Sequence, residues 1–181
     1  GKDLFIKAGE GDPEALAKAL DAYKKAYEVD VKKSKEKDVK DAIAGIAKKY
    51  LDEGMNCYML DNYAGASEFF AKAADASATA PYSVIDSTAL YNAGYTAWAV
   101  KDYERAKNFF EKCLAAEYYY EGGEVYAKLG DVYTNLGDVQ TDERALYTMT
   151  KQMSQFISRF NYEEDQYGKK IHPDSSDYRD R

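Results

Sequence analysis

The sequence has one histidine, two cysteines and three prolines in 181 residues, and each shortage removes a class of function. The lone histidine, His172, lies in a polar C-terminal stretch, without the Cys and His company of a zinc site or a basic partner for a nucleophile. Cys57 and Cys113 are too few for a disulfide scaffold. Each falls where a small apolar residue packs between helices, so both read as buried free thiols. No apolar run approaches the roughly eighteen residues that span a bilayer, and no direct membrane insertion is expected. Glycines occur as helix or turn residues and form no phosphate-cradling loop motif, and no cofactor or metal is expected. Positive charge is also short. The formal net charge of −7 gives no field that would attract nucleic acid. Lys24, Lys25, Lys32, Lys33, Lys35 and Lys37 cluster, but Glu28, Asp30, Glu36 and Asp38 are interleaved, as on a solvated helix end.

What is abundant is Ala, Lys, Glu and Leu, which favour helix, and eighteen tyrosines, each a large packing surface with a polar tip. Apolar residues recur at three- and four-residue spacings in seven segments, predicting helices at about 13–29, 36–60, 63–77, 83–100, 103–117, 124–136 and 142–162. Asp12 and Pro13 supply a cap and a first-turn proline for the first helix, which should bury Leu16, Ala19, Leu20, Tyr23, Ala26 and Tyr27. Ser83 and Asp86 read as a capping box for the fourth, with the shorter acid in place of Glu. The last segment carries a stripe of Leu146, Met149, Met153, Phe156 and Phe160, which reads as core. Residues 1–162 are read as one domain and 163–181 as a polar tail or the start of a further segment. Gly1 implies a processed or recombinant start, and a removed targeting segment leaves periplasmic, exported and cytoplasmic locations all open.

The clearest unit is 90–116, two amphipathic helices joined at Lys101-Asp102, an antiparallel hairpin. Copies flank it. Gly54, Gly94 and Gly130 fall in register at intervals of 40 and 36 residues, and Ala66 and Ala106 lie twelve positions after the first two. A glycine inside a helix costs about 1 kcal/mol against alanine, so its recurrence points to close helix packing. One hairpin cannot bury its own stripe, and stacking supplies the missing surface.

These residues resemble the tetratricopeptide repeat, a helical hairpin with a 34-residue period. Its small eighth position, aromatic or small eleventh, and Ala, aromatic and Ala at twenty, twenty-four and twenty-seven are matched by two copies. One reads Gly54, Cys57, Ala66, Phe70 and Ala73, and the next Gly94, Ala97, Ala106, Phe110 and Cys113. Gly130 with Tyr133 resembles a further first half, and Ala19, Tyr23 and Ala26 an earlier second half. Asn62-Tyr63, Asp102-Tyr103 and Gly137-Asp138 look like the family's turn. The resemblance implies an all-α, right-handed superhelical stack of antiparallel hairpins, a TPR-like solenoid, acting as a protein-interaction scaffold.

In that family the first helix of each repeat lines a groove. Carried over by position, the groove residues are Lys48, Leu51, Met55, Tyr58 and Met59 in one copy. In the next two they are Thr88, Tyr91, Tyr95, Trp98 and Ala99, then Glu124, Ala127, Asp131, Thr134 and Asn135. The candidate partner-binding site is therefore Leu51, Met55, Tyr58, Met59, Tyr91, Tyr95, Trp98, Asp131 and Asn135, and the ligand a protein or peptide segment. Leu51, Met55, Tyr91 and Tyr95 stand where a clamp for a chain-terminal carboxylate would need Lys and Asn, which argues against that mode. Two alternatives remain: an assembly subunit whose groove is filled by its own C-terminal segment, and a helical hydrolase using two carboxylates. Tyr118, Tyr119 and Tyr120 either cover the groove's end or pack on the preceding helix.

Overall fold

The structure, a computed structural model, describes residues 13–137, which belong, Gly137 apart, to one compact unit ending at Leu136. It contains α1 (Pro13–Val29), α2 (Glu36–Met59), α3 (Tyr63–Ala78), α4 (Ser87–Ala99), α5 (Tyr103–Ala115) and α6 (Glu124–Leu136). A short 3-10 turn, Glu121–Gly123, precedes α6, and no strand occurs among the described residues. Each helix packs on the next, and α4 also touches α6. This sequential packing is that of a TPR-like helical solenoid. The expected helix 142–162 with its Met149 stripe, the Asp12 cap, His172 and the tail all lie outside the described residues.

The hairpin turns repeat in atomic detail. After α2 the Asp61 N–H donates to the Tyr58 carbonyl at 3.0 Å and the Asn62 N–H to the Cys57 carbonyl at 2.9 Å. After α4, Lys101 donates to Trp98 and Asp102 to Ala97, both at 2.9 Å. After α5, Glu117 donates to Leu114 at 3.0 Å and Tyr118 to Cys113 at 2.9 Å. This pairing closes a helix by putting the residue after the cap in the left-handed region. Asp61 (φ 58°), Lys101 (φ 64°) and Gly137 (φ 68°) share that conformation in the register of the repeat, although only the last is glycine. The next helix then starts at once, because the Asn62 side chain accepts the Gly65 N–H at 3.1 Å and Asp102 the Arg105 N–H at 3.2 Å.

The start of α4 differs from expectation. Ser83 takes a positive φ of 50° and cannot open a helix, whereas the Asp86 carboxylate accepts the Ala89 N–H at 2.9 Å. The helix therefore begins at Ser87, and the preceding loop is held by the Val84 N–H on the Ser77 carbonyl at 2.8 Å. In α1, Ala15, Leu16 and Ala19 are buried, but Ala26 is exposed and Leu20, Tyr23 and Tyr27 are only half-buried. Among the described helices α1 packs chiefly on α2, so its second half lacks a neighbour to cover it.

The glycines explain the spacing of the stack. A Cβ on Gly54 would lie 2.7 Å from two ring carbons of Phe70, and one on Gly94 would lie 2.9 Å from Phe110 Cε1 and 3.2 Å from Phe109 Cβ. Phe70 and Phe110 hold the same place in successive hairpins and are almost wholly buried, each contributing roughly 2–3 kcal/mol by removal from water. Ala66, Ala73, Ala106 and Cys113 have no exposed surface. Gly130 differs: among the described residues nothing lies within 4 Å of an added Cβ. Between hairpins, the Ser67 hydroxyl donates to the Ala93 carbonyl at 3.0 Å, tying α3 to α4. Both cysteines are free. Cys113 is buried, but Cys57, expected to be buried, is half-buried because it lies beside the exposed end of α2.

Candidate functional site

Because Gly54 has no side chain, the Phe70 ring of α3 packs directly against α2, and it lines a cleft of about 360 Å³ between α2 and α4. Met55 and Tyr58, about one turn apart, face it from α2, and Tyr91 and Tyr95, also one turn apart, face it from α4. Asn92 and Thr96 complete the α4 wall, and Tyr120 and Glu124 close the far side. Met55 is 48% exposed, so this wall is open to an incoming apolar group.

Tyr91 is the centre of the aromatic surface. Its ring stacks on Tyr120 with centroids 4.2 Å apart and planes 12° apart, and it also meets Tyr95 at 6.2 Å and Tyr118 at 6.3 Å. Burial pushes the Tyr91 hydroxyl well above the usual tyrosine range, and the charge of Glu124 and a hydrogen bond to it add to the shift. The hydroxyl stays protonated and is a donor to Glu124. The 118–120 tyrosines therefore divide their roles. Tyr118 and Tyr120 lie over Tyr91, while Tyr119 stacks on Tyr126 of α6 at 5.6 Å.

At the other end of the row Trp98 is engaged by its own chain. The indole N–H donates to the Asp131 carboxylate. The Lys128 ammonium sits 3.5 Å from the centre of the Trp98 ring and 5.3 Å from that of Tyr95. Asn135 donates to the Asp131 carbonyl at 2.8 Å and to its carboxylate at 3.2 Å, which holds Asp131 in place. This clasp joins α4 to α6, as the Tyr91–Glu124 hydrogen bond also does, and such cation–ring contacts contribute about 0.5–1 kcal/mol each at exposed sites.

Of the nine residues carried over to a groove, the structure brings Met55, Tyr58, Tyr91 and Tyr95 together in the cleft. Trp98, Asp131 and Asn135 form the clasp instead. Leu51 is half-buried, Met59 is 68% exposed, and neither lines the cleft. Phe70, Asn92, Thr96 and Tyr120 are lining residues that groove positions alone did not name, whereas Glu124 was among the positions carried over. Phe70 was legible as a core residue, and although almost wholly buried it also forms part of the cleft lining. Among the described residues no group of three or more His, Cys, Asp or Glu side chains is placed to hold a metal. No helix among them is long and apolar enough to cross a membrane.

Residues 87–120 match the family model described as "Tetratricopeptide repeat". The chain carries a tetratricopeptide repeat. The matched stretch begins at Ser87, where α4 begins, in keeping with the register that puts Gly94 and Phe110 opposite each other. No curated protein matches the sequence. Among solved structures the chain is similar to BtubC (BKLC) from P. vanneervenii, at 20% identity over 95% of this chain and 78% of that one, with a TM-score of 0.47.

Proposed function

We propose that this tetratricopeptide repeat chain is a non-catalytic interaction module that holds a peptide or protein segment in the cleft between α2 and α4. Tetratricopeptide repeats serve as protein-interaction scaffolds, and the observation that carries the finer reading is the cleft itself. It has an open apolar wall at Met55, tyrosine faces on three sides and a single carboxylate at its edge. Aromatic side chains on a pre-formed concave surface are what protein interfaces use as anchors, since they bury much area at little entropic cost. The clasp on Trp98 favours self-coverage at that end of the row, so the ligand-facing surface is the Met55 to Tyr120 end.

The test is affinity capture with the intact protein and a Met55→Glu, Tyr58→Ala variant of matching circular dichroism. Partners retained by the intact protein should be lost from the variant. Equal recovery of every partner by both forms would remove the cleft from the account.

A further inference from the structure

The cleft has an uneven electrostatic design. Its lining includes four tyrosines and one charged group, the Glu124 carboxylate. An apolar occupant would cut that carboxylate off from water and leave it only the Tyr91 hydroxyl and a marginal contact with Lys128, and an acidic occupant would be repelled by it; either costs binding energy. A cation meets both features at once, the ring faces and the carboxylate. The chain already does this next door: Lys128 lays its ammonium on Trp98 and Tyr95 while standing 3.9 Å from Glu124 Oε1. That ion pair is at the limit of contact. A carboxylate accepts about four hydrogen bonds, so capacity remains on the cleft side.

Tyr120 gives independent support. Its backbone has φ 54° and ψ −179°, a region that only glycine enters freely. Strain of this kind persists where surrounding contacts over-determine it, and here it delivers a ring that is 41% exposed to the edge of the cleft, stacked on Tyr91. The Tyr91 hydroxyl hydrogen-bonds the same Glu124 carboxylate, which fixes the charge beside the tyrosine faces of the cleft.

We infer that the cleft is a cation-selective subsite, seating one Lys or Arg side chain of the bound segment between Tyr95, Tyr58 and Tyr120 with its charge on Glu124. This rests on the cleft being the binding surface. It adds the chemical identity of the anchor: the partner presents a basic residue with an aliphatic stem long enough to pass Met55.

A display library of random short peptides panned over the intact chain, with the Tyr120→Gly chain for counter-selection, tests both levels. Glycine at 120 deletes the ring and suits the positive φ, so relief of backbone strain offsets the lost stacking on Tyr91, and matching circular dichroism checks the fold. Selected peptides should share a Lys or Arg. Replacing that residue with norleucine should cost on the order of tenfold in affinity on the intact chain. On a Glu124→Gln chain the same replacement should cost only about two- to fivefold, since only the ring contribution remains. Synthetic Lys and Arg versions of one peptide distinguish the ammonium from the guanidinium. Selected peptides anchored by apolar or acidic residues and indifferent to Glu124→Gln overturn the cation subsite and leave the cleft as the binding surface. Failure to select any peptide that prefers the intact chain over Tyr120→Gly overturns both.

Discussion

Substitution of Gly94 by alanine tests the packing on which the stack is built. In an isolated helix the change would stabilise by about 1 kcal/mol, because glycine is the poorer helix former. Here the new methyl would stand 2.9 Å from Phe110 Cε1, 3.0 Å from Cδ1 and 3.2 Å from Phe109 Cβ. Phe110 has no exposed surface, so its ring cannot swing into solvent, and α5 must move away from α4. Overpacking of this kind costs about 1–3 kcal/mol, leaving a net loss of up to about 2 kcal/mol. In a chain of this size the full loss of about 2 kcal/mol would lower the melting temperature by roughly 4–8 °C. Urea unfolding followed by circular dichroism would measure it, and Phe110→Leu supplies the second leg of a double-mutant cycle. Trimming the ring should cost less in the Gly94→Ala background, with a coupling of about 1 kcal/mol. Gly130→Ala is an internal control, since no described atom lies within 4 Å of its added Cβ and the helix gain of up to about 1 kcal/mol should survive. A Gly94→Ala protein stabilised by the full helix gain of about 1 kcal/mol, or strictly additive with Phe110→Leu, would refute the close-packing account.

The remaining predictions concern turns and titration. Lys101→Gly should stabilise by about 0.5–1 kcal/mol, because a non-glycine residue at φ 64° carries left-handed strain larger than glycine's extra unfolded entropy; a lowered urea midpoint would contradict this. Burial pushes the Cys113 thiol up to about 12 from 9.0, so the folded chain holds the proton more tightly than the unfolded one. That contribution is fully present below pH 9 and is lost as pH rises towards 12, roughly 2 kcal/mol of it between pH 9 and 11. Cys113→Ala should lower stability at neutral pH yet flatten its decline over that interval; an unchanged slope in the variant would show that the thiol does not titrate as its burial implies.

Most of the fold could be read from the chain because the repeat is a local device. Gly54, Phe70, Gly94 and Phe110 are visible as a period, and the physical pairing of each glycine with the ring sixteen residues on follows from the hairpin that joins them. Asn62 and Asp102 were legible as turn residues for the same reason, and the structure adds that each caps the next helix by accepting a backbone N–H three residues away. Ser83 misled because a Ser followed by an acid is a signal about composition, whereas the choice between Ser83 and Asp86 was settled by the loop. The Val84 N–H on the Ser77 carbonyl turns the chain back and leaves Ser83 at positive φ.

The cleft was less legible because its decisive contacts are not periodic. Position in the repeat identified Met55, Tyr58, Tyr91 and Tyr95, all on first helices, and it equally identified Trp98, which α6 then claimed. Nothing local distinguishes Tyr95 from Trp98. The difference is that Lys128 and Asp131, one turn apart on α6, reach Trp98 across the α4–α6 contact, while among the described residues no such pair reaches down to Tyr58. Tyr120 was hidden for the opposite reason. A tyrosine at φ 54° in a segment with two following glycines gives no sequence sign that it, rather than either glycine, takes so strained a conformation. The conformation is held by the stacking on Tyr91, a contact between residues 29 apart in the chain. The helices and caps therefore follow from short-range pattern, whereas the part that would recognise a ligand depends on long-range aromatic contacts. That is why exchanging Tyr120 for glycine should leave the solenoid standing while removing one wall of its cleft.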